Sequence, residues 1–150
     1  VDDVEIHPTL LTDYIYECGK RYMIKMICID NYRYALMSDA LSKIGFSVDR
    51  KNLKLVSQLE ICKIVPVIDH CFINGFFYWG NNPTLRWATN NTKTIRYGRD
   101  AGADKGSFVY AKIEARSRKT DPFMALVASM TAEGEIKEYI PLTGKCVLVM

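Results

Sequence analysis

The spacing of apolar residues predicts alternating helices and strands in the first third of the chain. Residues 8–22 show helical spacing, residues 23–29 form a short apolar run, and residues 31–44 return to helical spacing before Gly45. A further apolar run at 53–56 predicts a second strand. Because the run at 23–29 is flanked by helical segments, we expect it to be a buried strand of the parallel type.

The same pattern continues through the rest of the chain. Residues 57–73 keep a helical period, although Pro66 is expected to kink or divide that helix because an interior proline costs about 3 kcal/mol. An aromatic strand at 76–79 comes next, followed by a short helix through Trp87 that is capped by Asn82-Pro83 and has its tryptophan in the core. Strands at 92–97 and 108–113, a helix at 122–130 and a terminal strand at 146–149 complete the order. The helix at 122–130 is expected to be buried through Phe123, Leu126, Val127 and Met130. This alternation predicts a layered α/β domain.

The composition indicates the class of protein but does not identify a binding partner. The 150 residues predict one domain, and 49% hydrophobic with 25% charged residues is ordinary for a globular protein. The five cysteines include no CxxC pair, which disfavours a disulfide framework or a zinc cluster and predicts buried, reduced thiols in a cytoplasmic protein. No signal peptide and no apolar run near 18 residues are present, so nothing favours secretion or membrane insertion.

Positive charge is concentrated in one segment, although the net charge of the chain is only +3. Residues 93–119 hold eight cations against three acidic residues, a local excess of five charges. The cations are Lys93, Arg96, Arg99, Lys105, Lys112, Arg116, Arg118 and Lys119. Such a segment fits a phosphate-contacting surface. A solvated hairpin whose cations protect strand edges explains it equally well.

Two aspartates stand at the ends of predicted core elements. Asp30 closes the apolar strand, and Asp121 follows Arg118-Lys119-Thr120 and precedes Pro122 at the start of an apolar helix. Sites in open α/β sheets form outside the carboxyl ends of strands, so Asp30 is a candidate ligand for a divalent metal. Aspartate is also a preferred helix cap, and capping explains both positions without any chemistry.

Other common catalytic patterns are missing from the sequence. No GxxxxGK[ST] loop, GxSxG elbow or HExxH motif occurs, and His7 and His70 are not spaced for metal binding. His70 is expected to be a half-buried side chain of an apolar helix. The segment 81–91 is rich in groups that donate to phosphates, including Arg86, Asn90 and Asn91.

Three stretches resemble the nuclease domain of the large terminase subunit of tailed bacteriophages. The first is the strand Ile27-Cys28-Ile29-Asp30 with the aromatic Tyr32 after it. The second is Gly80 to Asn91, which is similar to a GxNPxxRWxxxN signature, and the third is Lys119 to Leu126, similar to KxDPxxAL. The resemblance extends from about residue 3 to residue 130.

The resemblance implies an RNase H-like mixed sheet flanked by helices and metal-assisted hydrolysis of viral double-stranded DNA concatemers by two ions, Mg²⁺ or Mn²⁺. Asp30 would be the second metal-binding and catalytic aspartate and Asp121 the last. Implied partners are the terminase ATPase domain, the small subunit and the portal, in the host cytoplasm. The residues expected to contact DNA are Arg86, Asn90, Lys93, Arg96, Arg99, Lys112, Arg116, Arg118 and Lys119.

The sequence also departs from the family pattern. The family's first metal-binding aspartate lies on an opening strand before the helix that begins here near Pro8, and Asp2 and Asp3 follow no such strand. A chain without that ligand is expected to bind metal weakly and to be inactive on its own. Two alternatives remain: a non-catalytic DNA-binding or assembly module, and another RNase H-like nuclease with a third carboxylate at Glu133 or Glu135.

Overall fold

The chain forms two compact units, Val1–Val56 and Ser57–Met150. The structure, a computed structural model, describes residues 7–98, 107–116, 118–136 and 146–147. Both units combine helices with short strands, so the predicted mixed α/β class is confirmed. Asp2 and Asp3, and the cations Arg99 and Lys105, lie outside the described residues.

The first unit contains the parallel strand pair that the sequence predicts. Its elements are α1 (Pro8–Gly19), β1 (Ile27–Asp30), a 3-10 turn (Asn31–Arg33), α2 (Tyr34–Lys43) and β2 (Leu53–Val56). The register of β1 and β2 runs from Ile27 opposite Leu53 to Asp30 opposite Val56. Asp30 is therefore the last residue of a parallel strand, as predicted.

Some boundaries in this unit differ from the sequence prediction. The helix α1 ends at Gly19, where helix propensity falls, instead of continuing to Tyr22. The strand β1 starts only at Ile27, and Met23 is 79% exposed. The turn after α2 uses Gly45 at φ +95°, a left-handed conformation that favours glycine, so its predicted role as the stop is confirmed.

The second unit places three helices around a hairpin. Its elements are α3 (Gln58–Ile73), β3 (Phe77–Tyr78), α4 (Pro83–Asn90), β4 (Thr92–Tyr97), β5 (Ser107–Lys112), α5 (Asp121–Met130), a 3-10 turn (Glu133–Glu135) and β6 (Cys146–Val147). The strands β4 and β5 are antiparallel, and β3 pairs in parallel with β6. Among the described residues each sheet has two strands.

Pro66 does not divide α3, so that part of the sequence prediction was wrong, whereas a kink at Pro66 stays a prediction. The helix is continuous from Gln58 to Ile73. Its start is fixed by a capping box in which the Glu60 carboxylate accepts from the Ser57 backbone N–H at 2.7 Å. Its apolar face is buried, whereas Pro66 is exposed, so the proline ring lies away from the packed side of the helix. Burial of the opposite face outweighs the cost of the proline.

The core of the second unit is formed by α3 and α5. The four residues of α5 predicted to be buried are all buried: Phe123, Leu126, Val127 and Met130. Both α3 and α4 contact α5, and α3 also contacts β5. Cys62 and Cys71 are buried on α3, as predicted for thiols, while Cys18 and Cys28 are half-buried and the side chain of Cys146 lies outside the described part. No helix within the described ranges is both long and apolar enough to cross a membrane.

Candidate functional site

Asp30 acts as a cap in the first unit. Its Oδ1 accepts a hydrogen bond from the backbone N–H of Tyr32 at 2.9 Å, which fixes the start of the 3-10 turn. The side chain is exposed, and Tyr32 beside it is 87% exposed. A carboxylate has two oxygens, so capping by one of them is compatible with metal binding by the other. The capping interpretation of Asp30 is thus confirmed, and metal binding stays a prediction.

Asp121 occupies a different position from the cap that the sequence suggested. The N-cap of α5 is the buried Thr120, whose side chain makes no capping hydrogen bond, and Asp121 is the first helical residue. Its carboxylate is exposed at the N-terminus of the helix, where the helix dipole favours negative charge. Pro122 in the first turn needs no hydrogen-bond partner for its nitrogen.

The two aspartates belong to different units, Asp30 to Val1–Val56 and Asp121 to Ser57–Met150. Their joint binding of one metal site therefore stays a prediction. Within the described residues, no group of three or more His, Cys, Asp or Glu side chains is gathered in a way that suits a metal ion. Glu133 is half-buried and Glu135 exposed in the 3-10 turn after α5.

A buried asparagine supports the loop that immediately precedes Asp121. Asn91, only 1% exposed, donates from Nδ2 to the carbonyl oxygen of Lys119 at 3.2 Å. Its Oδ1 accepts from Nη1 of Arg118 at 3.3 Å, and its backbone oxygen accepts from the N–H of Ile113 at 2.9 Å. One side chain between α4 and β4 thus positions the chain immediately before α5.

The cations of this loop are presented to solvent. Arg118 and Lys119 are exposed, and Arg118 Nε lies 3.6 Å from a carboxylate oxygen of Glu114. The Arg118 side chain is therefore held on two sides, by Glu114 and by Asn91, while 45% of it stays exposed. An oriented and partly exposed guanidinium is a group that can bind a phosphate.

The helix α4 begins with a side-chain cap, as predicted, but presents different residues to solvent. Asn82 Oδ1 accepts from the N–H of Leu85 at 3.0 Å. Trp87 is 49% exposed, which contradicts its predicted place in the core. The buried residues of α4 are Leu85 and Ala88, and Trp87 lies about 200° around the helix from Leu85.

Both residues of α4 that were predicted to donate hydrogen bonds to phosphates lie on its surface. Arg86 is exposed, and its guanidinium donates to the side-chain oxygen of Asn81. Asn90, the last residue of α4, is exposed, in contrast to the adjacent Asn91. The sequence analysis named both asparagines as possible phosphate donors and only Asn90 as an expected DNA contact. The structure shows that Asn90 is a surface donor and Asn91 a buried support.

The hairpin divides its cations between two faces. Residues opposite each other in an antiparallel pair share a face, and alternate residues point to opposite faces. Lys112 is opposite Thr92, and Arg96 is opposite Phe108, so these two cations lie on the face of Tyr110. Lys93, opposite Ala111, has the other orientation. Arg116 is exposed after β5, and Arg99 lies outside the described residues.

The sequence analysis did not predict the contact between two further side chains, those of Asp69 and Tyr110. Asp69 on α3 accepts a hydrogen bond from the hydroxyl of Tyr110 on β5 at 3.0 Å. The two residues are 41 positions apart, and no local pattern reports such a pair. His70, next to Asp69, is exposed and contacts Asn74 instead of being half-buried as predicted.

Comparison with known proteins adds no relative to this description. No family model, no curated protein and no solved structure matches this chain.

Proposed function

We propose that this chain is the RNase H-like nuclease domain of a phage terminase large subunit, which cuts concatemeric double-stranded DNA in a metal-dependent reaction. One observation carries the proposal. Two stretches that resemble terminase motifs, Gly80 to Asn91 and Lys119 to Leu126, are in contact within the second unit. The contact is the hydrogen bond from Asn91 to the Lys119 carbonyl, and α4 packs against α5 beside it.

The proposal assigns metal binding to Asp121 and Asp30. Both are carboxylates exposed to solvent, and hard oxygen donors suit Mg²⁺ and Mn²⁺. A bound ion would supply charge neutralisation on the phosphate and a more acidic water. The chain's own contribution is to hold Asp121 at a helix N-terminus and to orient Arg118 toward solvent through Asn91.

The proposed DNA contacts are the exposed donors around this loop and on the hairpin. Arg118 and Lys119 precede Asp121, Arg86 and Asn90 lie on α4, and Lys93, Arg96, Lys112 and Arg116 follow on the hairpin and after it. Each phosphate contact removed should lower the slope of log affinity against log salt by about 0.9. The motor domain, small subunit and portal remain the proposed partners, in the host cytoplasm.

The test compares three substitutions that remove a carboxylate charge at constant size. Asp121→Asn and Asp30→Asn should weaken Mn²⁺ binding of this chain, measured by titration calorimetry. In a longer chain that also carries the first metal-binding aspartate, the same substitutions should abolish cutting of supercoiled plasmid. Asparagine is itself a good cap, so Asp30→Asn should leave the turn folded. Asp13→Asn, an exposed position on α1, is the matched control. If both test variants bind Mn²⁺ and cut DNA as the parent does, the proposal is wrong.

The capping role of Asp30 favours one alternative, a module that binds DNA without cutting it. That module should bind DNA equally well in EDTA and in Mn²⁺, with salt-sensitive affinity that depends on Arg96, Arg116 and Arg118. Undiminished binding in EDTA, no cutting in any metal and no Mn²⁺ binding together would select it. A nuclease that instead uses Glu133 or Glu135 would lose cutting on Glu133→Gln or Glu135→Gln.

A further inference from the structure

A pocket opens in the second unit, and one of its lining residues is Phe123, two positions after Asp121. It has a volume of about 420 Å³ and lies where α3, α4, α5 and the hairpin β4–β5 meet. That volume falls within the range of small-ligand sites in proteins, about 300–1,000 Å³. Of its lining residues, only Lys93 is among the DNA contacts proposed above.

One wall of the pocket is aromatic and held in place. Phe123 is 2% exposed and packs edge-on against Tyr110, with ring centroids 5.0 Å apart and an angle of 84°. Phe72 lies 6.3 Å from Phe123 and is 37% exposed, so part of its ring faces the opening. Partly exposed rings on a buried support provide a surface on which a planar group can stack.

The polar groups of the pocket are mainly hydrogen-bond acceptors. The hydroxyl of Tyr110 donates to Oδ1 of Asp69, which holds the carboxylate against the wall. Burial and the charge of Asp69 raise the pKa of Tyr110 above its usual range, so this proton stays in place at neutral pH. The Asp69 carboxylate therefore remains an oriented acceptor.

Two threonines add to this set of acceptors. The hydroxyl of Thr89 donates to the Leu85 carbonyl at 2.9 Å, and that of Thr92 donates to the Ala88 carbonyl at 2.9 Å. Because each hydroxyl hydrogen is already used, these oxygens face a ligand only as acceptors. A ligand that suits the pocket must bring donors.

Cations border the same pocket. Lys93 is among its lining residues, although its side chain belongs to the other face of the hairpin, whereas Lys112, opposite Thr92 in register, lies on the face that carries Tyr110. Opposite residues in an antiparallel pair have Cβ atoms about 4.5–5.5 Å apart, so the Lys112 side chain is long enough to reach the mouth. The preferred ligand thus combines a planar ring, a donor edge and a negative charge.

We propose that this pocket binds a single unstacked nucleotide and prefers guanine. Guanine presents two adjacent donors, N1–H and the 2-amino group, that a carboxylate can accept together. Adenine and cytosine present one amino group, and thymine presents a lone N–H between two carbonyls. The choice of DNA as the source of the nucleotide rests on the proposed nuclease function, whereas the pocket chemistry is the same for a free nucleotide.

The experiment measures binding of the four deoxynucleoside monophosphates to the full chain in EDTA. We expect dGMP to bind tightest and dTMP weakest. Asp69→Asn keeps an acceptor for Tyr110 but removes the bidentate contact, and should weaken dGMP binding by about 5- to 150-fold, the usual discrimination of such a contact. Asp39→Asn, at an exposed ion pair with Lys43 on α2, is the control and should change nothing.

A second pair of ligands separates base from phosphate recognition. Lys112→Gln should weaken dGMP binding but leave binding of deoxyguanosine, which has no phosphate, unchanged. The proposal is overturned by equal affinity for all four nucleotides, by no effect of Asp69→Asn, or by inorganic phosphate or a free amino acid binding as well as dGMP. A hairpin DNA with one unpaired guanine should compete with dGMP if DNA is the source. Competition by free nucleotides but not by this hairpin DNA would support the pocket and exclude DNA as the source of the nucleotide.

The outcome is independent of the nuclease test. Guanine-selective binding in EDTA that Asp121→Asn does not change supports the pocket even if Asp121→Asn also leaves cutting unchanged. Conversely, loss of cutting in Asp121→Asn without any nucleotide selectivity supports the nuclease and refutes the pocket.

Discussion

Replacing Asn91 by alanine tests whether this buried side chain holds the loop before α5. The substitution removes the bond to the Lys119 carbonyl and the bond from Arg118. A neutral hydrogen bond contributes about 0.5–1.5 kcal/mol and one to a charged group about 1.5–3 kcal/mol. The Arg118 side chain is 45% exposed and its bond is long at 3.3 Å, so its contribution belongs below that charged range. We expect a total loss of about 1–3 kcal/mol.

The assay is urea denaturation followed by tryptophan fluorescence. Both tryptophans of the chain, Trp79 and Trp87, lie in the second unit, so the signal reports the unit that contains Asn91. With a slope of about 1–3 kcal/mol per molar urea, a loss of this size lowers the midpoint by about 1 M. The slope itself should not change, because the substitution does not alter how much surface unfolding exposes.

Asn90→Ala is the matched control, one position away. Asn90 is exposed at the end of α4, and surface substitutions of this kind usually stay within about 0.5 kcal/mol. Under the proposed function, Asn90→Ala should weaken DNA binding without a change in stability. Equal midpoints for Asn91→Ala and the parent, or a larger loss for Asn90→Ala, would refute the reasoning from burial and hydrogen bonding.

Substitutions at three further positions test other parts of the structure by the same denaturation assay. Pro66→Ala should stabilise the second unit by up to about 3 kcal/mol, because it restores an interior helix hydrogen bond, and a loss of stability would contradict the continuous α3. Ser57→Ala removes the capping box with Glu60 and should cost about 1 kcal/mol, whereas Ser57→Asp should retain the cap. The raised pKa of Tyr110, due to burial and then to Asp69, predicts stability that is fully present below about pH 10 and falls as the unfolded tyrosine ionises. Tyr110→Phe should flatten that alkaline fall by at most about 1.4 kcal/mol per pH unit, less with solvent screening, and an unchanged slope would contradict the assignment.

Sequence periodicity predicted those elements whose burial is one-sided and regular. The boundaries of the strands Leu53–Val56 and Thr92–Tyr97 agree to the residue, and the buried face of α5 is the predicted one. In such elements the regularly spaced apolar residues all face the core, so their spacing alone identifies the element and its buried face. The prediction that Trp87 lies in the core was wrong. The helix α4 has only eight residues, and Leu85 and Ala88 already occupy its buried side. Hydrophobicity alone then assigned the largest residue to the core.

Long-range polar pairs had no counterpart in the sequence pattern. The bond from Asn91 to Lys119 joins residues 28 positions apart, and the bond from Tyr110 to Asp69 joins residues 41 apart. Each partner separately resembles an ordinary surface residue, because a polar side chain becomes structural only when a distant segment covers it. Such pairs become visible only after the helices and the hairpin have assembled.

The adjacent residues Asn90 and Asn91 show why a motif resemblance and a functional site must be tested separately. Asn91 is the residue that matches the last position of the terminase-like signature. Its side chain, however, is already hydrogen-bonded to the Lys119 carbonyl and to Arg118. A loss of DNA cutting in Asn91→Ala therefore has a structural explanation and says nothing about contact with DNA. Asn90 and Asp121 are exposed, and their substitution should leave the fold intact. Only a loss of binding or cutting at these two positions, with an unchanged urea midpoint, counts as evidence for the nuclease.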